Sequence, residues 1–325
     1  MSQARKGSGA RSGWTRCAGK AALAISLLAS AALPQGCGGQ ERDPYDRALH
    51  ALEARIESAP SNADLAEKVR RRLSRIRQDP GRFVGEISQR LDAMGLVPLR
   101  VPGLFYRSHA WTGADLAGVE AWLGRQVVLI ETGEADTVEN NATCVSRGVV
   151  EATSTGRRAV LFSASKGGAE VEAALASEPA LASHVAAWID LVGLLEGTPL
   201  TDPGMAEADR AALGLSQATA LSISRSARAG KGVLLPPRLI AVHVAGFPTA
   251  DAITPPARAG FERLRALGPN DGFLLLDGFL RAPGRVLILP AADHYLHTPE
   301  LGPTVVAVVS VVLDELAGES EAAIQ

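Results

Sequence analysis

The chain has 325 residues, 46% of them hydrophobic and 21% charged, with a formal net charge of −2. That apolar share supports a sizeable core and rules against a disordered chain. No basic excess marks a nucleic-acid partner, and no CxxC or Cys/His cluster points to a metal, so neither partner nor cofactor of those kinds is expected.

The first 36 residues carry Arg5, Lys6, Arg11, Arg16 and Lys20 with no acid, and then the apolar run Ala21 to Leu33. A basic segment followed by a 13-residue apolar stretch is the layout of an export signal and is short for a membrane span. Removing residues 1–36, which hold five Lys or Arg and no acid, takes the net charge from −2 to −7. Two exits stay open, cleavage after "ASA" at 29–31 or lipidation of Cys37 in "LPQGCGG". The second would hold the protein at a membrane surface of a bacterial cell envelope. It would also leave Cys144 alone as a buried thiol, whereas the first lets Cys37 and Cys144 pair.

Residues 37–95 read as a helical extension of three helices. Tyr45, Leu49, Leu52 and Ile56 share one face, Leu65, Val69, Leu73 and Ile76 a second, and Phe83, Val84, Ile87, Leu91 and Met94 a third, closed by Gly95. The run Lys68 to Arg77 fits a solvated basic helix face. From residue 96 strands and helices alternate, which predicts an α/β fold with a mostly parallel central sheet and helices on both faces. Strands are expected at 96–106, 126–132, 158–163, 184–193, 238–246 and 285–290. Helices are expected from Thr112 to Leu123, and over 136–155, 166–177, 255–267 and 303–317. Residues 196–233 are small, polar and Gly-rich and interrupt the alternation as a surface excursion or a lid.

The strand over 158–163 runs into "SASKGG", residues 163–168. A serine at such a strand-to-helix turn needs small neighbours, because the turn is strained and the helix passes close to the sheet. Downstream, Asp271 lies in an Asn-Asp-Gly turn and His294 four residues past the strand ending at Pro290. The order nucleophile, acid, histidine suits acyl chemistry, in which imidazole takes the serine proton and the carboxylate orients the ring. Asp271 also fits plain turn chemistry and His294 a plain loop; Asp277 is a second candidate acid, and Asp293 and His297 flank the histidine. His243, inside "IAVHVAG", reads as a hydrogen-bonded core residue, and Lys166 as an exposed lysine at a helix start. The sequon at Asn141 sits mid-helix and is set aside.

"SASKGG", "NDG" and "DH" resemble the nucleophile, acid and histidine loops of bacterial lipases and esterases of the α/β-hydrolase superfamily, over residues 96–316. The chain departs from that pattern at Ser163, where glycine is usual, and at Pro102-Gly103-Leu104, where a His-Gly pair is usual. The resemblance implies Ser165 as nucleophile, His294 as general base and Asp271 as its partner. It also implies an oxyanion hole from the backbone of Lys166 and of Leu104 or Phe105. An exported serine hydrolase of small-molecule or lipid esters follows as the expectation, against a non-catalytic envelope lipoprotein that uses the same body for binding.

Overall fold

A computed structural model describes residues 43–109, 113, 116–204 and 207–322. The export signal expected at 1–36 and the lipidation expected at Cys37 lie outside them. Three helices come first, α1 (Pro44–Glu57), α2 (Pro60–Gln78) and α3 (Pro80–Ala93), each with Pro in its first turn, where the missing N–H is no loss. Next are β1 (Leu96–Val101), α4 (Gly118–Leu123), β2 (Val128–Leu129) and α5 (Val138–Ala152). The centre of the chain is β3 (Arg158–Ala164), α6 (Lys166–Ser177) and β4 (Val185–Leu191). Among the described residues, the interruption at 196–233 includes the short α-helices α7 (Glu207–Ala212), α8 (Gln217–Ser222) and α9 (Arg225–Arg228). β5 (Ile240–Phe247), α10 (Pro255–Leu264), β6 (Arg285–Pro290) and α11 (Leu301–Ala322) complete it.

The six strands form one parallel sheet in the order β2-β1-β3-β4-β5-β6. The expected strand over 126–132 shrinks to the two residues of β2, which sits at the sheet edge with Val128 exposed. Side chains alternate across the sheet with period two. Val160 and Phe162 of β3 pack with α2, α3, α4 and α11, while Ala159 and Leu161 pack with α5 and α6. The helices expected as an extension therefore share the core of the α/β body, and α1 joins it too through Tyr45, Leu49, Leu52 and Ile56. Helix α11 has the length and mean hydropathy (1.6 over Leu301–Gly318) of a membrane span, yet Val305, Val309, Val312 and Leu316 are buried in that core.

Strand order reverses between β1 and β3, since the chain adds β2 on one side of β1 and then crosses to β3 on the other. In open parallel sheets the crevice beyond the carboxyl ends at such a switch point is where ligands are held. The loops after β1 and β3 meet there.

Candidate active site

Ser165 occupies the single residue between β3 and α6, with φ 53° and ψ −121°. A non-glycine residue pays of order 1–3 kcal/mol for such a backbone, so the surroundings must hold it. They do so through main-chain bonds: the Ser165 N–H donates to Leu191 O (3.0 Å), and its carbonyl accepts from Gly168 N (3.0 Å) and Leu194 N (2.9 Å). Gly167 faces the carbonyls of Val101 and Pro102 so closely that a Cβ would collide with both, and Gly168 is equally tight against Asp190. Gly167 lets the turn that carries Ser165 rest on the end of β1, and Gly168 lets it rest against Asp190 of β4.

Ser163 stands where a glycine is usual, and its hydroxyl is used: it donates to Asp190 Oδ1 (2.6 Å) and accepts from Trp188 Nε1 (2.8 Å). Asp190 Oδ2 faces His243 Nδ1 (3.1 Å), whose Nε2 faces Pro283 O (2.7 Å). His243 is thus a buried, hydrogen-bonded residue of β5 with no part in the crevice.

Ser165 Oγ lies 2.9 Å from His294 Nε2, and His294 Nδ1 lies 2.8 Å from Asp271 Oδ2. The carboxylate is anchored as well: Oδ1 accepts the N–H groups of Phe273 (2.9 Å) and Leu274 (2.8 Å), which is the turn chemistry of the Asn-Asp-Gly segment put to use. Phe273 stacks on the imidazole with ring centroids 4.8 Å apart and 22° between planes. The other carboxylates near the histidine in sequence are committed elsewhere. Asp277 is held by both terminal nitrogens of Arg225 (2.9 and 2.8 Å), and Asp293 accepts from Thr254 N and Oγ1 and from Tyr295 N. His297 lines the cavity described next.

A cavity of about 640 Å³ opens over Ser165 and His294. Its walls are mainly apolar: Leu104 and Phe105 after β1, Leu116 and Trp122 around α4, Leu213 and Leu215 from the 196–233 insertion, and Leu296 and Leu301 beyond the histidine. Part of the insertion therefore lines the site. A mainly apolar cleft with a few convergent polar atoms is the usual form of a small-molecule site.

Two expectations change. Lys166 is not an exposed helix-start lysine but is buried, with Nζ 2.5 Å from Glu170 Oε1. Burial pushes the Glu170 carboxyl above its ordinary value, against the pull of that ammonium. The two residues expected to offer a second oxyanion donor both line the cavity, and Phe105 gives its N–H to Glu134 O (3.4 Å). Lys166 is the first residue of α6, where a backbone N–H has no partner inside the helix. Glu134, Glu170 and Phe273 were not singled out by the sequence, and Asn141 only as a sequon; the i, i+4 spacing of Lys166 and Glu170 on one helix was the available signal for that pair. Among the described residues, no three His, Cys, Asp or Glu side chains gather as a metal-binding group, and Cys144 is a half-buried free thiol.

No family model and no curated protein sequence matches the chain. Among solved structures it is similar to a metagenomic carboxyl esterase, at 21% identity and a TM-score of 0.54, over 70% of this chain and 76% of that one. It is also similar to the mature form of a Bacillus licheniformis lipase, at 21% identity and a TM-score of 0.52, over 62% of this chain and 85% of the other. The parallel sheet, its strand order and these likenesses show that the chain has the α/β-hydrolase fold.

Proposed function

We propose that the protein hydrolyses carboxylic esters through an acyl-enzyme on Ser165. The observation that carries this reading is the unbroken chain Ser165–His294–Asp271, at 2.9 and 2.8 Å, opening into an apolar cavity. Those links lie in the range needed for proton transfer from a serine to an imidazole. A body used only for binding has no need of a serine kept at φ 53°.

In the first half-reaction Ser165 Oγ bonds to the ester carbonyl carbon while its proton passes to His294 Nε2. Asp271 keeps the ring oriented and stabilises the imidazolium that forms. The carbonyl oxygen, now an anion, is met by the backbone N–H of Lys166 and that of Leu104. Collapse breaks the carbon–oxygen bond to the alcohol, which leaves with the proton from Nε2. Water then repeats the sequence on the acyl-enzyme, its proton going to His294 and returning to Ser165 Oγ as the acid departs.

The apolar cavity favours an uncharged acyl or alkyl group, and the two similar structures are a carboxyl esterase and a lipase. The sequence before residue 38 supports an exported protein, held at a membrane surface if Cys37 is lipidated and soluble if cleavage follows Ala31. Hydrolysis rates on p-nitrophenyl acetate, butyrate and laurate test the substrate class. Turnover that rises with chain length supports a lipase-like preference, and turnover on none of the three removes the ester reading.

A further inference from the structure

The loop after β1 has to present Leu104 to the nucleophile turn, yet residues 102–109 contain no strand or helix, and Phe105 sits at φ 55°, a region unfavourable to a non-glycine residue. Glu134, from the loop after β2, meets this segment at several points. Its carbonyl accepts the Phe105 N–H (3.4 Å). Its Oε1 accepts the N–H groups of Arg107 and Ser108, the latter at 2.8 Å, and its Oε2 accepts from Ser108 Oγ (3.1 Å).

Glu134 is itself tied to the nucleophile helix through its neighbour Gly133. The Asn141 side chain brackets Gly133, accepting from its N–H (2.8 Å) and donating to its carbonyl (2.8 Å), while also donating to Glu170 Oε1 (2.7 Å). Lys166 Nζ reaches the same carbonyl at 3.4 Å. Burying the Lys166–Glu170 pair costs desolvation of two charges, and one of its carboxylate oxygens, Glu170 Oε2, has no hydrogen-bond partner. What the cluster provides is a fixed position for Gly133, and so for Glu134, measured from the residue next to Ser165.

We propose that Glu134, held through Gly133 by Asn141, Lys166 and Glu170, is a positioning residue that sets the loop bearing Leu104 in register with Ser165. This rests on the ester-hydrolase reading above. Oxyanion donors act only when held close to where charge develops, and removing one such donor from an acyl-transfer site costs on the order of 10²- to 10³-fold in kcat. Loosening the donor's support should cost less, about tenfold or somewhat more.

The test compares wild type, Glu134→Ala and Glu134→Gln in kcat and KM on p-nitrophenyl butyrate, in inhibition by an alkyl boronic acid that forms a tetrahedral adduct with the serine, and in thermal melting. Glu134→Ala is expected to lose about tenfold or more in kcat with KM within about twofold of wild type, and to weaken the boronate by a matching factor at an unchanged melting point. Glu134→Gln keeps an acceptor oxygen for Arg107 and Ser108 and should recover most of the loss. Hydrogen exchange on the wild type reads the tether independently of any variant: the exposed Arg107 and Ser108 amides should be protected. An active wild type with an unimpaired Glu134→Ala, or free exchange at both amides, overturns this proposal alone. A wild type that turns over no ester overturns the hydrolase reading and this role with it.

Discussion

Asp271 grips His294 at two points: its backbone carbonyl accepts the His294 N–H at 2.9 Å, and its Oδ2 meets the imidazole Nδ1 at 2.8 Å. The loop and the ring are thus placed by the same residue, the backbone of His294 by the Asp271 carbonyl and its imidazole by the Asp271 carboxylate. Asp271→Asn leaves the main-chain contact but puts an amide beside Nδ1 and favours the wrong tautomer. A loss on the order of 10³- to 10⁴-fold in kcat follows from the behaviour of such triads. Asp277→Asn serves as the contrast. Burial raises its carboxyl, but the hydrogen bonds and charge of Arg225 outweigh that and hold it below its ordinary value. The pair is 43% exposed on the acid side, so its removal should cost less than about 1 kcal/mol and leave kcat within about twofold. Steady-state kinetics of the two variants side by side decide which aspartate serves the histidine.

The stack of Phe273 on His294 closes one side of the imidazole. Phe273→Ala keeps the backbone N–H that binds Asp271 but removes the ring, worth about 0.5–1.5 kcal/mol beyond its burial. The expected result is a several-fold fall in kcat with a modest loss in melting temperature. Equal kcat in the variant would show that the Asp271 contacts alone fix the ring.

Gly167→Ala drives a methyl into the Val101 and Pro102 carbonyls, both of them backbone and unable to swing aside. Either α6 moves off β1 or the turn at Ser165 opens, and each shifts Ser165 Oγ from its contact with His294 Nε2. We expect about 1–3 kcal/mol of destabilisation or more and a large loss of kcat, read by denaturant titration and by turnover. Gly85→Ala is the control, since a Cβ there meets nothing within 4 Å.

Tyr45 links α1 to the turn that precedes Asp271: its hydroxyl donates to Asn270 O (2.9 Å) and accepts from Asn270 N (3.2 Å). Burial, the largest influence, pushes its phenol from 10.0 up to about 12. The other two tyrosines, Tyr106 and Tyr295, are also raised by burial. Because the folded state holds these protons more tightly than the unfolded one, their contribution to stability is complete below pH 10 and is lost as pH rises toward 12. Tyrosinate absorbance should therefore appear late in an alkaline titration, and Tyr45→Phe should delete its last component while costing about 1–3 kcal/mol. A midpoint near 10 for all three would contradict the burial described for them.

Much of the body was readable in the sequence because its signals are local. The alternation of Val160 and Phe162 with Ala159 and Leu161 marks a strand buried on both faces, and Ser165, Gly167 and Gly168 mark the turn that follows. What the sequence did not carry is long-range. The stripes of α2 and α3 look the same whether they pack on one another or on the sheet, and only the fold places Leu65 and Ile87 in the core that Phe162 shares. Lys166 has the composition of a surface residue, and its burial depends on Glu170 one turn on along α6 and on Asn141 and Gly133, which arrive from two other segments. Glu134 likewise gains its role only when the loop after β2 is laid against residues 105–108.

The measurement that bears most directly on the central claim is mass spectrometry of the protein after exposure to an alkyl fluorophosphonate, beside its turnover of p-nitrophenyl butyrate. A single adduct on the peptide containing Ser165, blocking turnover and absent from an inactive Ser165→Ala, is the result predicted here. Turnover that survives in Ser165→Ala, or an adduct carried by another residue, would contradict it.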